Sequence, residues 1–324
     1  MKKLTILFII FRWTLQAQSY PPAAGQMGST AISGDSPLFV AWATNVEVTR
    51  GFIDISNPEA QHSGSNYATY GEPEDALGPP TRQAVSLGDG GVAILTFENP
   101  ITNGPGFDFA VFENGFDDNY LELAFVEVSS NGIDYFRFPS HSQTQTQTQV
   151  EGFDPLDPTY INNLAGKYRV FFGTPFDLSE LEEDPNLDTN RITHVKIIDV
   201  VGSIDPLYAR YDSYGNKIND PFNTPFYSGG FDLDAVGVIN QQILKIDDYD
   251  DRSITIYPNP ASTNLYIKTK QSVHVTMYDS NGRQVFSQRN NGKESIDIST
   301  LQNGVYILNI YSATESQKYK FIKK

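Results

Sequence analysis

Two aspartates stand one residue apart in the stretch "FDLDAVGVIN" (Phe231 to Asn240), whose alternation predicts a β-strand. Side chains two apart on a strand share a face at about 7 Å. Asp232 and Asp234 are therefore expected to form an outward pair, with Phe231, Leu233 and Ala235 turned to the core. Three roles fit such a pair: bracketing a glycosidic bond, supplying oxygens to calcium, or meeting solvent. A second strand, "FDFAVFEN" (Phe107 to Asn114), puts Phe107, Phe109, Val111 and Glu113 on one face, and Asp108, Ala110, Phe112 and Asn114 on the other. It runs into "ENGFDDNYLE", where Glu113, Asn114, Asp117, Asp118 and Glu122 crowd together. Carboxylates that close must be solvated, as in a wet loop, or neutralised by a cation.

Further hard oxygens surround the Gly turn of "YDSYGNKIND", namely Asp212, Asn216, Asn219 and Asp220, without the full register or the distal Glu of an EF-hand loop. The calcium reading, a structural ion, thus rests on Asp212, Asp220, Asp232 and Asp234. A hydrolase or lyase reading would use Glu113, Asp232 and Asp234. Aromatic residues are the other resource. Tyr208, Tyr211, Tyr214, Phe226 and Tyr227 fall in loop-like segments, where exposed rings suit stacking on sugar faces. The four histidines (His62, His141, His194, His274) lack metal-ligand spacing, and neither a G-x-S-x-G elbow nor a P-loop occurs. "LGDGGVA" leads into a strand, so its glycines make a turn and not a phosphate cradle.

The elements that must position these residues are strands. Tyr (18) and Phe (21) are abundant and helical periodicity is nearly absent, a balance that suits pleated sheets. Strand-like runs recur from about residue 45 to 240, among them "VAILTFE", "ELAFVEVSS", "IDYFRF", "YRVFF" and "ITHVKIIDV", separated by Gly, Pro, Asn and Asp clusters. Asn131-Gly132 predicts a hairpin, because both residues tolerate positive φ. "FDLSELEE" could form two helical turns, and "SQTQTQTQ" (Ser142 to Gln149) is expected to be an exposed low-complexity loop. The fold class is all-β: a jelly-roll-like sandwich followed by a small Ig-like sandwich.

Charge divides the chain more sharply than composition does. Residues 18–251 hold 10 Lys and Arg against 35 Asp and Glu, a net of −25, whereas residues 252–324 hold 10 against 4, a net of +6. An acidic body repels phosphate backbones, which argues against nucleic acid. The absence of cysteine excludes disulfides and thiolate chemistry. At the N-terminus, Lys2 and Lys3 precede the apolar run Leu4 to Phe11 and the "LQA" before Gln18, the pattern of a secretory signal cut after Ala17. That run is too short to span a bilayer, and no other stretch is apolar enough. The expected organisation is a signal peptide (1–17), a Pro/Gly-rich lead-in (18–44), a sandwich body (45–240), an acidic linker (241–252) and a terminal β unit (253–324).

The terminal unit contains "YPNPASTNLYI", the hairpin "YDSNGRQV", "LQNGVYIL" and the basic end "KFIKK". In this order it resembles the type A C-terminal sorting domain of the type IX secretion system of Bacteroidetes. The resemblance implies carriage through the periplasm and across the outer membrane by the type IX machinery, then release or surface attachment. It puts the sorting signal on Tyr257, Pro258, Asn259, Pro260, Gly304, Tyr306, Lys323 and Lys324. In the body, "PEDALGPP", "VEVSSNGIDYFRF", "ITHVKIIDV" and "FDLDAVGVIN" are similar to loop and strand patterns of galactose-binding-like, discoidin-type jelly rolls. The body also resembles a group of bacterial surface proteins with "VFEN" and "FDLDAV" stretches. The combined expectation is an exported carbohydrate-binding module with glycan partners and a structural calcium. A secreted polysaccharide hydrolase or lyase is the alternative, and a structural or adhesive surface protein a third reading.

Overall fold

A computed structural model describes residues 19–242, 254–269, 272–290, 295–311 and 316–324. The segment expected to be a signal peptide (1–17) and nearly all of the acidic stretch 241–252 lie outside the described residues. The chain divides into two compact units between Ile243 and Leu244.

In chain order the first unit forms β1 (Ile32–Ser33), β2 (Ala41–Trp42), β3 (Asn45–Thr49), β4 (Val85–Ser86), β5 (Val92–Ile101), β6 (Phe109–Glu113), β7 (Ala124–Ser129), β8 (Phe136–Arg137), β9 (His141–Ser142), β10 (Ile161–Asn162), β11 (Phe172–Phe176), β12 (Ile192–Asp199) and β13 (Asp232–Val238). One sheet runs β1-β11-β6-β13-β2, with β4 also on β13, and the other runs β3-β5-β12-β7-β8. From β5 to β7, and again from β11 to β13, each successive strand crosses to the opposite sheet, so the two sheets are laced together as in a jelly roll. All their pairings are antiparallel. Residues 32–42, counted in the lead-in by composition, supply β1 and β2. The expected helix from Phe176 shrinks to a 3₁₀ turn at Leu178–Leu181, and the strand expected at "YRVFF" sits four residues later as β11.

The alternation read from the sequence explains the core. Ala93 and Leu95 of β5, Val126 and Val128 of β7, and Val195 and Ile197 of β12 meet Phe109 and Val111 of β6 and Leu233, Val236 and Val238 of β13. Phe109, Phe138 and Phe176 cluster at centroid distances of 5.0–5.8 Å. A second layer, including Phe125, Val150, Leu164 and Ile218, covers the back of β7 with long loops. On that face Glu127 sits between Arg137 (2.7 Å) and Lys196 (2.8 Å).

One register break matters for the site. The β13–β6 ladder slips between Leu233 and Ala235, so alternation reverses there. Leu233 and Val236 both reach the main core, while Ala235 joins Ala110 and Phe112 on the other side of the sheet. The uniform face expected for Phe231, Leu233 and Ala235 does not form, and Asp232 and Asp234 are separated in environment.

The second unit has two sheets, β14 (Ile254–Tyr257), β15 (Asn264–Thr269) and β18 (Ser295–Asp297) in the order β14-β15-β18, and β16 (Val273–Tyr278), β17 (Gln284–Asn290), β19 (Gly304–Tyr311) and β20 (Ser316–Lys323) in the order β17-β16-β19-β20. They enclose a core of their own that includes Ile267, Met277, Leu308, Ile310 and Phe321. The "YPNPA" turn closes the chain end. The Asn259 amide donates to the Lys320 carbonyl (3.0 Å) and its oxygen accepts from the Ile322 N–H (3.0 Å). Ala261 and the terminal strand exchange two more backbone bonds of 2.9 Å. Tyr257 stacks on Tyr266, and Tyr306 on Phe321. Gly304 pairs with Lys323, whose side chain folds inward to the Lys324 carbonyl (2.7 Å), leaving Lys324 exposed.

Since Leu308 is fully buried in this separate core, Leu308→Ala is expected to destabilise the terminal unit by about 2–5 kcal/mol. Hydrogen exchange on the full chain should show faster exchange in β16 and β19 with protection of β5, β7 and β12 unchanged. Equal loss in both sets of strands would contradict the division.

Candidate functional site

β6 ends on Glu113, β13 begins on Asp232, and the loop between β6 and β7 returns Glu122 to the same spot. Carboxylate oxygens of the three lie within 4.8 Å of one another. Glu113 and Glu122 are buried and Asp232 is half-buried. Glu113 Oε2 accepts the Gly115 N–H at 2.6 Å, while Glu113 Oε1 is buried without a hydrogen-bond partner. Gly115 is required by close approach, since a Cβ there would stand 2.6 Å from Glu113 Oε2. Ser86 Oγ donates to Asp232 Oδ1. Arg50 stands nearby, but its guanidinium is committed to the carbonyls of Tyr70 (2.8 Å), Gly71 and Ser86 (2.9 Å). Among the described residues no Lys or Arg forms an ion pair with the trio.

Burial governs the electrostatics. It pushes Glu113 and Glu122 well above the usual carboxylate range, and the neighbouring charge of Asp232 pushes both the same way. Asp232 is held up at about 7 by burial, against the Ser86 hydrogen bond and the Arg50 charge. Half-buried Tyr120, beside Glu122, is raised also, by desolvation first and then by that carboxylate.

The trio forms the floor of a cavity of about 280 Å³ whose wall includes Phe116, Tyr120, Phe153, Phe226 and Tyr227. The rings form a chain: Phe116 stacks on Tyr120 (4.3 Å), Tyr120 faces Phe153 (6.0 Å), and Phe153 meets Phe226 (5.9 Å). Four of them are exposed at the rim, Phe116 at 64% and Phe153 at 69%. Large apolar side chains gathered in the open around a polar floor make this cavity the candidate site.

Of the residues singled out in sequence, Glu113, Asp232, Phe226 and Tyr227 meet in this cavity. Asp234 does not. It is buried away from solvent and its two oxygens accept the Thr81 (2.9 Å) and Arg82 (3.2 Å) N–H groups, fixing the loop after "PEDALGPP". Asp212 clasps its own turn, accepting from Tyr214, Asn216 and Ser142 at 2.8–3.0 Å, and Asp220 accepts the Leu123 N–H at 2.8 Å. Of the four aspartates named as calcium candidates, Asp212, Asp220 and Asp234 are engaged by backbone N–H groups, and only Asp232 joins the trio. Tyr208 lines a different cavity beside Phe222 and Asn223. Tyr211 lines a third beside Gln143–Gln147, and Tyr214 packs on His141 at 4.4 Å. Of the tract expected to be an exposed loop (Ser142 to Gln149), only Gln145 to Thr148 are exposed and Ser142 is buried in β9; Asn219 pins it by donating to the carbonyls of Gln145 and Thr148. Phe116, Tyr120 and Phe153 carried no sequence signal beyond being aromatic. Glu122 was visible in the acidic run, but it is buried and not in a wet loop.

Residues 255–324 match the family described as a secretion system C-terminal sorting domain. The chain thus ends in a type IX sorting domain, which indicates export to the cell surface or secretion. No curated protein sequence matches the chain. Similar solved structures include a β-glucuronidase of Faecalibacterium prausnitzii (13% identity, 90% of this chain and 46% of that one, TM-score 0.22). A biofilm-associated protein BSP domain (12%, 72% and 48%, 0.19) and a Ruminococcus gnavus β-glucuronidase in complex with a C6-substituted uronic isofagomine (11%, 89% and 46%, 0.22) are others. The chain spans less than half the length of each, and at such scores the likeness bears on neither site nor activity.

A second acidic pair acts on the floor through the charge of Asp199. Asp89 is held up at about 8 by burial and by the charge of Asp199, and Asp199 at about 6 by burial against three backbone donors. A carboxyl whose folded pKa lies above its unfolded value stabilises fully below the unfolded value, near 3.9, and loses that contribution as pH rises through the folded value. The body is therefore expected to be more stable at about pH 5 than at about pH 8.5. Asp89→Asn, which keeps an oxygen for the Ile55 N–H, should flatten the slope of the urea midpoint against pH. An unchanged slope would contradict the assignment.

Proposed function

We propose that this is an exported cargo whose body binds carbohydrate in the acid-floored aromatic pocket. The observation that supports this best is the pairing, in one cavity, of an unpartnered buried acceptor, Glu113 Oε1, with an open collar of rings. A sugar offers C–H faces that stack on Phe and Tyr, and hydroxyls that donate to carboxylates. The terminal unit does a separate job: it presents a compact, net basic β label to the export machinery, closed at its end by Asn259.

Calcium is a second reading for the same floor, because three carboxylates with oxygens inside 4.8 Å resemble half of an oxygen cage. Catalysis is disfavoured on electrostatic grounds. A glycosidase needs one carboxyl kept protonated and a second kept ionised. Here burial pushes all three in the same direction, the Arg50 charge opposes it only in part and only at Asp232, and among the described residues no Lys or Arg forms an ion pair with the trio.

A glycan array probed with the full chain is expected to give binding without release of reducing ends. Glu113→Gln should weaken the signal by about tenfold or more, the scale of one charge-assisted hydrogen bond. Sugar release abolished by that substitution would favour the hydrolase. A melting temperature unmoved by EDTA would remove calcium, since an ion bound to the native state must stabilise it. Removing residues 255–324 is expected to leave the body folded and held in the periplasm; its normal appearance outside the cell would overturn the export assignment.

A further inference from the structure

Resting on the carbohydrate reading of the same pocket, we infer that its ligand is an amino sugar whose amine is free and protonated, with the ammonium seated on Glu113, Glu122 and Asp232 under the aromatic rings.

Four observations carry this. The floor gathers three carboxylates with oxygens that lie within 4.8 Å of one another, and Glu113 Oε1 is buried without a hydrogen-bond partner. The Arg50 guanidinium, whose charge acts on Asp232, points its N–H groups at three carbonyl oxygens and not at the acids. Among the described residues no Lys or Arg forms an ion pair with the trio, so one Arg50 charge faces three acids, and a ligand bringing its own cation gains what a neutral sugar cannot. The walls select the kind of cation. Calcium takes six to eight oxygen ligands, whereas much of this wall is carbon. Aromatic faces attract an organic ammonium and stack on a sugar ring, both at one site. Finally, residues 18–251 carry a net charge of −25. That field draws a cationic polysaccharide toward the body and repels uronic or sulfated chains. Acylating the amine removes the charge and adds bulk against the floor, so N-acetylated sugars are the ones the pocket should reject.

The test is titration calorimetry on the full chain with four probes: a glucosamine trisaccharide, the matching N-acetylglucosamine trisaccharide, Nα-acetyl-lysine amide and calcium chloride. The glucosamine trisaccharide is expected to bind at least about tenfold more tightly than its N-acetylated counterpart. Glu113→Gln and Glu122→Gln, near-isosteric changes that relieve like-charge crowding, should each weaken it by a similar factor while leaving the circular dichroism unchanged. Phe226→Ala, at the exposed rim (40%), should weaken it through lost stacking without altering the preference for the free amine. Equal affinity for the two trisaccharides would overturn the ammonium requirement and leave the sugar reading standing. Lysine amide binding as tightly as the glucosamine trisaccharide would overturn the sugar part. Calcium binding with no response to either trisaccharide would overturn both.

Discussion

Three backbone N–H groups, those of Gly90, Val201 and Phe231, converge on the buried carboxylate of Asp199 at 2.8–2.9 Å. They belong to the loop after β4, the segment leaving β12 and the residue just before β13. None of the three meets its neighbours through an ordinary ladder bond at that point, so the carboxylate replaces the sheet as their organiser. The next residue after Phe231 is Asp232, and the strand that receives it fixes the distance from Asp232 to Glu113 on β6. Close backbone contact completes the arrangement: Gly230 lies so near Gly88 that a Cβ would fall 2.7 Å from its carbonyl carbon, at a positive φ of 71°. The pocket floor thus inherits its geometry from a residue that does not line it.

The same device recurs through the body. Asp108 accepts from Gly104 and Leu178, Asp234 from Thr81 and Arg82, and Asp212 from its own turn. Buried carboxylates are costly unless hydrogen bonds satisfy them. Here each of these bonds also gives shape to a long loop that lacks a strand partner. A chain without disulfides has to fix its loops by other means, and much of the acidic composition is explained by this work. Against that background the trio of Glu113, Glu122 and Asp232 stands apart. Its members are drawn together at one point, and although Glu113 Oε2 clasps the Gly115 N–H, its other oxygen is left without a hydrogen-bond partner.

Local pattern and tertiary placement part company in what the sequence disclosed. Strand alternation put Phe109, Val111 and Glu113 on one face, and the structure agrees, because a regular strand propagates its face two residues at a time. The same argument failed at Asp234, where a one-residue slip against β6 reverses the alternation, and a slip leaves no mark in composition. The all-β class and the order of motifs in the terminal unit were legible for a similar reason, since turns such as Asn131-Gly132 and the "YPNP" stretch carry their conformational demands in neighbouring residues. The aromatic collar was not. Phe116 and Tyr120 come from the β6–β7 loop, Phe153 from a loop more than thirty residues later, and Phe226 and Tyr227 from the approach to β13. Only the folding of these loops over one another selects them, while Tyr208, Tyr211 and Tyr214, equally aromatic and equally loop-borne, end elsewhere.

The two units also solve opposite electrostatic problems. The body concentrates negative charge and keeps part of it away from water, so its carboxyls depend on backbone donors and protonation for their tolerance. The terminal unit carries a net positive charge, and its exposed Lys318, Lys320 and Lys324 need no such support. Its order comes from the pairing of β19 with β20 along eight residues and from the Asn259 clasp, which spares the last strand the fraying expected of a chain end. A basic label read by an export apparatus must hold its shape up to its final residues. The body holds part of its acid where water is scarce. Each unit has its own core, so the chain need not find one environment that serves both demands.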